Sequence, residues 1–145
     1  VIASDGTVTV EEGELYRELA AILELRSKSL ALRRGRQYLR DISGDGLRFG
    51  PPRVLGGRML SVVAWSRILD SSEVLCAINT DPSLPRRAWV VVDSGLHPAG
   101  SALKVVYSTR RADEGMLLPV QSKGEDGLVA ALDLEVPPAG FVALA

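Results

Sequence analysis

The stretch Leu60-Ser61-Val62-Val63-Ala64-Trp65-Ser66-Arg67-Ile68, a polar turn at Asp70-Ser71-Ser72, and then Val74-Leu75-Cys76-Ala77-Ile78-Asn79 leave this chain little choice of fold. Both arms are of strand length and rich in β-branched and apolar residues. The Asp and Ser between them are types whose side chains bond their own backbone in turns. On the first arm Leu60, Val62, Ala64 and Ile68 share one face, and Val63, Trp65 and Leu69 the other. A hairpin that is apolar on both sides needs cover on both, which places it mid-sheet beneath a second layer.

The chain beyond the hairpin has the same character. Asp81-Pro82-Ser83-Leu84-Pro85 stops the second arm, because proline cannot donate to a ladder. Strands are then expected over Ala88 to Val92, Leu103 to Ser108, Met116 to Val120, Leu128 to Leu134 and Phe141 to Ala145, nearly all separated by glycine or proline. Arg36 to Ile42 alternates as an edge strand would, and Gly44, Gly46, Gly50, Pro51, Pro52, Gly56 and Gly57 break up the connection to the hairpin. Short strands at close spacing with no helix between them predict an antiparallel β-sandwich of about eight strands. At 145 residues the chain has room for one such domain and an appendage.

The appendage is helical. Thr9-Val10-Glu11-Glu12 has the form of a capping box, and Leu15, Leu19, Ile22 and Leu23 then recur at helical spacing, flanked by Tyr16 and Ala20. Glu24 and Lys28 make a favourable pair four residues apart. The helix should end within Ser27 to Ser29, or after one more irregular turn through Leu30 to Leu32, with Gly35 as a left-handed stop. The division expected is residues 1–35 as a helical segment and 36–145 as the sandwich.

Candidates for chemistry are few. Asp41-Ile42-Ser43-Gly44-Asp45-Gly46 opens like a calcium loop, but the twelfth place, where a bidentate glutamate should close the site, is Pro52, so an ordinary glycine turn is expected and no metal. His97 is the one histidine and Cys76 the one cysteine; a zinc site needs more nitrogen and sulfur ligands than these two, and Cys76 reads as a small buried hydrophobe. The carboxylates Asp70, Asp81, Asp93, Asp113 and Asp126 lie beside Ser, Pro or Gly, where Asp is favoured for backbone reasons. Arg33-Arg34-Gly35-Arg36 reads as a solvated helix end. No catalytic residue, cofactor or sugar-contacting residue is assigned; Trp65 and Trp89, in a chain only 5% aromatic, are expected in the core.

Charged residues are 24% of the chain and the formal net charge is −1, which supplies no excess of positive charge for a phosphate backbone or an anionic membrane. Nucleic acid and membrane partners are therefore not expected. A lone cysteine excludes an internal disulfide framework and leaves the compartment open. A chain opening at Val1 rather than Met, without the basic and apolar zones of a signal peptide, reads as a piece of something longer.

Three segments, taken together, resemble the C-terminal end of an alpha-amylase superfamily glycoside hydrolase. Leu15-Tyr16-Arg17 through Leu25-Arg26 to Ala31-Leu32-Arg33-Arg34-Gly35 is similar to the last helix of the catalytic barrel and the connection leaving it. Ala64-Trp65-Ser66-Arg67, leading to Asn79, is similar to the central strands of the C-terminal antiparallel domain, and Pro137-Pro138-Ala139-Gly140-Phe141-Val142-Ala143-Leu144 resembles its proline-led last strand. Ser29 departs from the proline that many relatives place there. The family's catalytic carboxylates lie in barrel motifs with an Asn-His pair, a Gly-x-Arg-x-Asp segment and a His-Asp pair, and none of these occurs here. The resemblance thus implies a non-catalytic accessory domain bracing a barrel that acts on α-glucosidic bonds, touching α-glucan only indirectly. Two other readings stay open: a carbohydrate-binding module for α-glucan, and a protein-interaction sandwich. The stripe Leu15, Tyr16, Leu19, Ile22 and Leu23 is expected to be a domain or self-association interface, packed on the sandwich or on a second copy, and is the docking face in the protein-interaction reading.

Overall fold

The computed structural model describes residues 13–52, 54–55, 58–59 and 61–145, so the capping box at Thr9 to Glu12 lies outside the described residues. Two helices lead, α1 (Glu14–Lys28) and the single turn and a half of α2 (Leu30–Arg34). Strands follow as β1 (Arg36–Arg40), β2 (Ile42–Ser43), β3 (Val54–Leu55), β4 (Arg58–Met59), β5 (Val62–Leu69), β6 (Ser72–Asn79), β7 (Arg86–Val91) and β8 (Ala102–Ser108), then β9 (Leu117–Pro119), β10 (Gln121–Lys123), β11 (Val129–Val136) and β12 (Phe141–Leu144). Ten of them form two antiparallel sheets, ordered β1-β5-β6-β12-β8-β9 and β10-β11-β7-β2, while β3 and β4 pair with each other. The fold is a β-sandwich preceded by a helix.

The hairpin is β5 and β6, paired in unbroken register from Val62 with Asn79 to Leu69 with Ser72. Asp70 turns the chain in the left-handed region at φ 52°. Because side chains alternate across a strand, this mid-sheet pair carries two cores. Val62, Ala64, Leu75 and Ala77 face the four-stranded sheet and meet Val90, Leu132, Leu134 and Val136; Trp65, Leu69, Val74 and Cys76 face the helices and meet Ala21, Ile22, Leu25, Ala31 and Leu32. The molecule therefore has three layers, helix on sheet on sheet. Burying each of the larger apolar side chains contributes about 1.5–3 kcal/mol.

Two irregularities serve these cores. In β8, Leu103 and Val105 belong to the inter-sheet core while Tyr107, two residues on, belongs to the helix-side core. The register shift against β12 at Ala143/Leu144 is the cause: one extra residue reverses which face the strand presents. The segment expected as one edge strand from Arg36 to Ile42 instead changes sheets. Its first part, β1, is the edge of the larger sheet against β5, and its last residues, β2, are the edge of the smaller one against β7. Three further strands are not expected from the sequence: β3 and β4 lie in the connection expected to be broken and pair only with each other, and β10, the polar Gln121-Ser122-Lys123, pairs at an outer edge with β11, where no apolar alternation is required.

The helix ends in both of the expected ways. Helix α1 stops at Lys28, and Ser29 separates it from α2 with extended backbone, donating its N–H to the carbonyls of Leu25 and Arg26 while its hydroxyl accepts from Leu32 N at 3.2 Å. A proline there could not make the first of these bonds. Gly35 is not a left-handed stop: its φ is −65°. Glycine is needed for room, since a Cβ would collide with the carbonyl oxygen of Ala31 and come within 2.9 Å of that of Ile68. Gly35→Ala is expected to cost about 1–3 kcal/mol through this close approach of α2 to β5, read as a lower urea midpoint at unchanged slope.

Candidate functional site

The covered side of α1 is not the one its apolar residues centre on. Ala21, Ile22 and Leu25 pack on the larger sheet, whereas Leu15, Tyr16, Leu19 and Leu23 are 78%, 52%, 54% and 57% exposed. Of the five residues read as an interface, the sandwich thus takes Ile22. The cause is angular: at about 100° per residue, Ala21, Leu25 and Ile22 form one shoulder of an apolar arc whose centre runs through Leu15 and Leu19. Leu30, Tyr38 and Leu39, on α2 and the edge strand, are exposed as well.

A buried charge cluster lies at the turn end of the hairpin, on the inner face of the sheet. Glu73 is fully buried; Arg40 Nη2 donates to its Oε2 at 2.5 Å, and the backbone N–H of Asp93 donates to Oε1 at 3.1 Å. Arg40 Nε donates to Ser66 Oγ at 2.8 Å. His97 Nε2 approaches Glu73 Oε1 to 3.5 Å without a hydrogen bond among the described residues. The cluster joins β1, β5, β6 and the β7–β8 loop. Glu73 belongs to neither the expected turn nor the expected second arm, yet it stands two residues before Leu75 and four before Ala77, and that alternation is the signal that it points inward. Its partners are all structural, and its role is to close the sandwich.

The opposite end is closed by amides and turns. Asn79 Nδ2 donates to the carbonyls of Leu84, Val136 and Pro137 at 2.8, 3.1 and 3.2 Å. Asp81 accepts from the N–H groups of Ser83 and Leu84 and from both arms of Arg86, with Nη2 at 2.6 Å, and these bonds hold its carboxyl below the usual range.

The calcium-like loop is an ordinary turn. Asp45 Oδ1 accepts from Leu47 N, Arg48 N and Ser43 Oγ, and these three bonds lower its carboxyl to about 2. Beside it runs an open groove of about 720 Å³ touching Asp45, Arg48, Phe49, Arg86 and Arg87. Each of its arginines is already paired, Arg86 with Asp81, Arg87 with Asp133 and Arg48 with Glu125. Among the described residues no three His, Cys, Asp or Glu side chains gather as a metal site would require. Cys76 lies under α1, on the opposite face of the sheet from the Glu73 cluster, and burial pushes its thiol up to about 12, which leaves it inert as a nucleophile.

The tryptophans divide. Trp65 packs half-buried under α1, 6.3 Å from the Phe141 ring. Trp89 is not in the core: its neighbours Ala88 and Val90 take the inner face of β7, and its ring lies on the outer face with Lys123 Nζ 4.3 Å from its centre. Layer packing decided this: alternation sets Trp89 opposite Val90, Val90 faces the larger sheet, and the other face of the smaller sheet has no second layer.

Glu73→Gln is expected to cost about 3–5 kcal/mol by leaving Arg40 without its counter-charge, and the double variant with Arg40→Met to recover most of it in chemical denaturation. Asp45 and Asp81 have carboxyls lowered by folding, so their stabilisation is complete above the ordinary value of 3.8 and is lost as pH falls below it, for Asp45 toward about 2. In Asp45→Asn the thermal midpoint should fall near neutrality, with a shallower loss on acidification.

Comparison of the chain with protein-family models finds no match, and a search of curated proteins finds none either.

Proposed function

We propose that this chain is a non-catalytic accessory domain of an alpha-amylase superfamily glycoside hydrolase, with the last barrel helix attached, and that it braces a catalytic barrel acting on α-glucosidic bonds. The observation that carries the reading is the bare apolar arc Leu15, Leu19 and Leu23 on a helix whose other side is fixed to the sheet. A helix this apolar on its outward face is built to be covered, because contiguous exposed apolar surface marks a contact. The resemblance of the three segments supports a barrel as the partner. A brace of this kind supports hydrolysis or transfer without performing it, in keeping with a Glu73 that serves packing and a Cys76 that is inert.

A second reading, a carbohydrate-binding module for α-glucan, is favoured by the outward placement of Trp89 beside the Arg87–Asp133 pair. Aromatic rings can stack on sugar faces, but here a lysine already stands over the ring.

The isolated chain should associate weakly and reversibly in sedimentation velocity. Leu19→Glu with Leu23→Glu should abolish this while changing stability by no more than about 0.5 kcal/mol, since both positions are exposed. A chain that stays monomeric at high concentration would count against the docking reading. Maltoheptaose at millimolar concentration should leave the Trp89 indole resonance unmoved and should not be hydrolysed; a shift at Trp89 lost in Trp89→Ala would transfer the case to the binding module.

A further inference from the structure

The two edges of the larger sheet are finished differently. At one, β9 ends in Pro119, which has no N–H to offer a further strand. At the other, β1 is five residues long, and no hydrogen bond among the described residues reaches its outer side. The register identifies the groups left open there. Thr80 donates its N–H to the Ser61 carbonyl, whereas Asn79 donates to Gly140, so the odd-numbered residues of β5 bond β6 and the even-numbered ones bond β1. Arg36, Tyr38 and Arg40 stand opposite Ile68, Ser66 and Ala64 and take up those bonds. The N–H and C=O groups of Gln37 and Leu39 therefore point away from the sheet, in the arrangement that accepts one more strand.

The side chains around this edge belong to a contact. Tyr38 and Leu39 are exposed on its opposite faces, at positions where an unused edge carries charge or proline. Arg33 and Arg34 end α2 and Arg36 opens β1, so three exposed arginines fall within four residues at the start of the edge. Elsewhere Arg40, Arg48, Arg86, Arg87, Arg110 and Arg111 each have an acidic partner. Among the described residues these three have none. In a chain of net charge −1 they are a local surplus of positive charge.

We propose that β1 is the docking edge for an extended acidic segment of another protein, which adds antiparallel to β1 as a seventh strand and sets its carboxylates against Arg33, Arg34 and Arg36. The open backbone groups call for an extended chain, and the unpaired guanidinium groups call for acid. An antiparallel strand brings its C-terminal end to Arg36, which places the acids there. A second copy of this chain is a poorer occupant: two β1 edges paired antiparallel about Tyr38 set Arg36 opposite Arg40, like charges across the pair. The edge is separate from the exposed arc of α1, and the proposal is independent of what covers that arc.

The probe is the peptide acetyl-Thr-Val-Thr-Ile-Glu-Glu-amide, titrated into the isotope-labelled chain at low salt. It should shift the amide resonances of Gln37 and Leu39 and slow their hydrogen exchange, while the Tyr38 amide, already bonded to β5, changes little. Replacing both glutamates by glutamine should weaken binding about fivefold, as loss of two exposed ion pairs requires. The triple variant Arg33→Gln, Arg34→Gln, Arg36→Gln should lose the same factor, and Arg48→Gln none of it. Of two peptides N-methylated at alternate residues, one should bind and the other should not, since only one set of N–H groups can face β1. Equal binding of the glutamate and glutamine peptides, equal binding of both methylated peptides, or unmoved Gln37 and Leu39 amides at millimolar peptide would overturn the proposal. Concentration-dependent protection of those two amides without peptide would overturn it as well, by making the occupant a second copy.

Discussion

The inner face of β6 reads Glu73, Leu75, Ala77, Asn79, and the rest of the molecule is arranged to satisfy those four side chains. The two apolar residues sit between the sheets with no exposure, and the two polar ones are buried beside them. Neither Glu73 nor Asn79 could stay there without partners, because an unpaired charge or amide inside a sandwich costs more than the adjacent packing gains. Each therefore fixes a loop: Glu73 holds the start of the β7–β8 connection through Asp93 and the edge strand through Arg40, and Asn79 ties the ends of β6 and β11 to the turn at Leu84. The hydrophobic middle of the strand gives stability and its polar ends give closure.

The outer face of the same strand explains the helices. Val74 and Cys76 alternate with the inner residues and, with Trp65, Tyr107 and Ala143, make a second apolar surface that a two-sheet molecule would leave wet. Helices α1 and α2 cover it. They can lie close because Gly35 lets the chain pass Ile68 without a side chain, and because the bulge in β8 turns Tyr107 toward them. The Tyr107 ring is 5.7 Å from that of Phe141 and lies under the Arg111 guanidinium, and burial, with Glu18 of the helix nearby, pushes its hydroxyl up. One sheet with two dry faces is thus the premise of a three-layer body.

That economy leaves α1 with more apolar surface than the sheet can use. A helix that packs by one shoulder keeps the rest of its arc available, and a crevice beside Arg67 is the place where helix and sheet do not meet. The exposed leucines of α1 and the crevice under it adjoin one another along the same helix. The carboxylates near the sandwich ends, Asp45, Glu73 and Asp81, are consumed by backbone N–H groups and arginines.

The sequence by itself determined the hairpin and most of the longer strands, because period-two alternation and the glycine and proline breaks are local. It also determined the amphipathic helix. It could not determine which side of the helix would be covered, since the apolar arc is wider than one contact and only packing on the larger sheet selects Ala21, Ile22 and Leu25. Nor could it place Trp89 outside, because alternation tells that Trp89 opposes Val90 but not which of the two faces a neighbour. The burial of Glu73, the sheet change after Arg40 and the face reversal in β8 likewise came from contacts between residues far apart along the chain. Local pattern fixes which residues share a face; only the packing of one layer on another decides which face is dry.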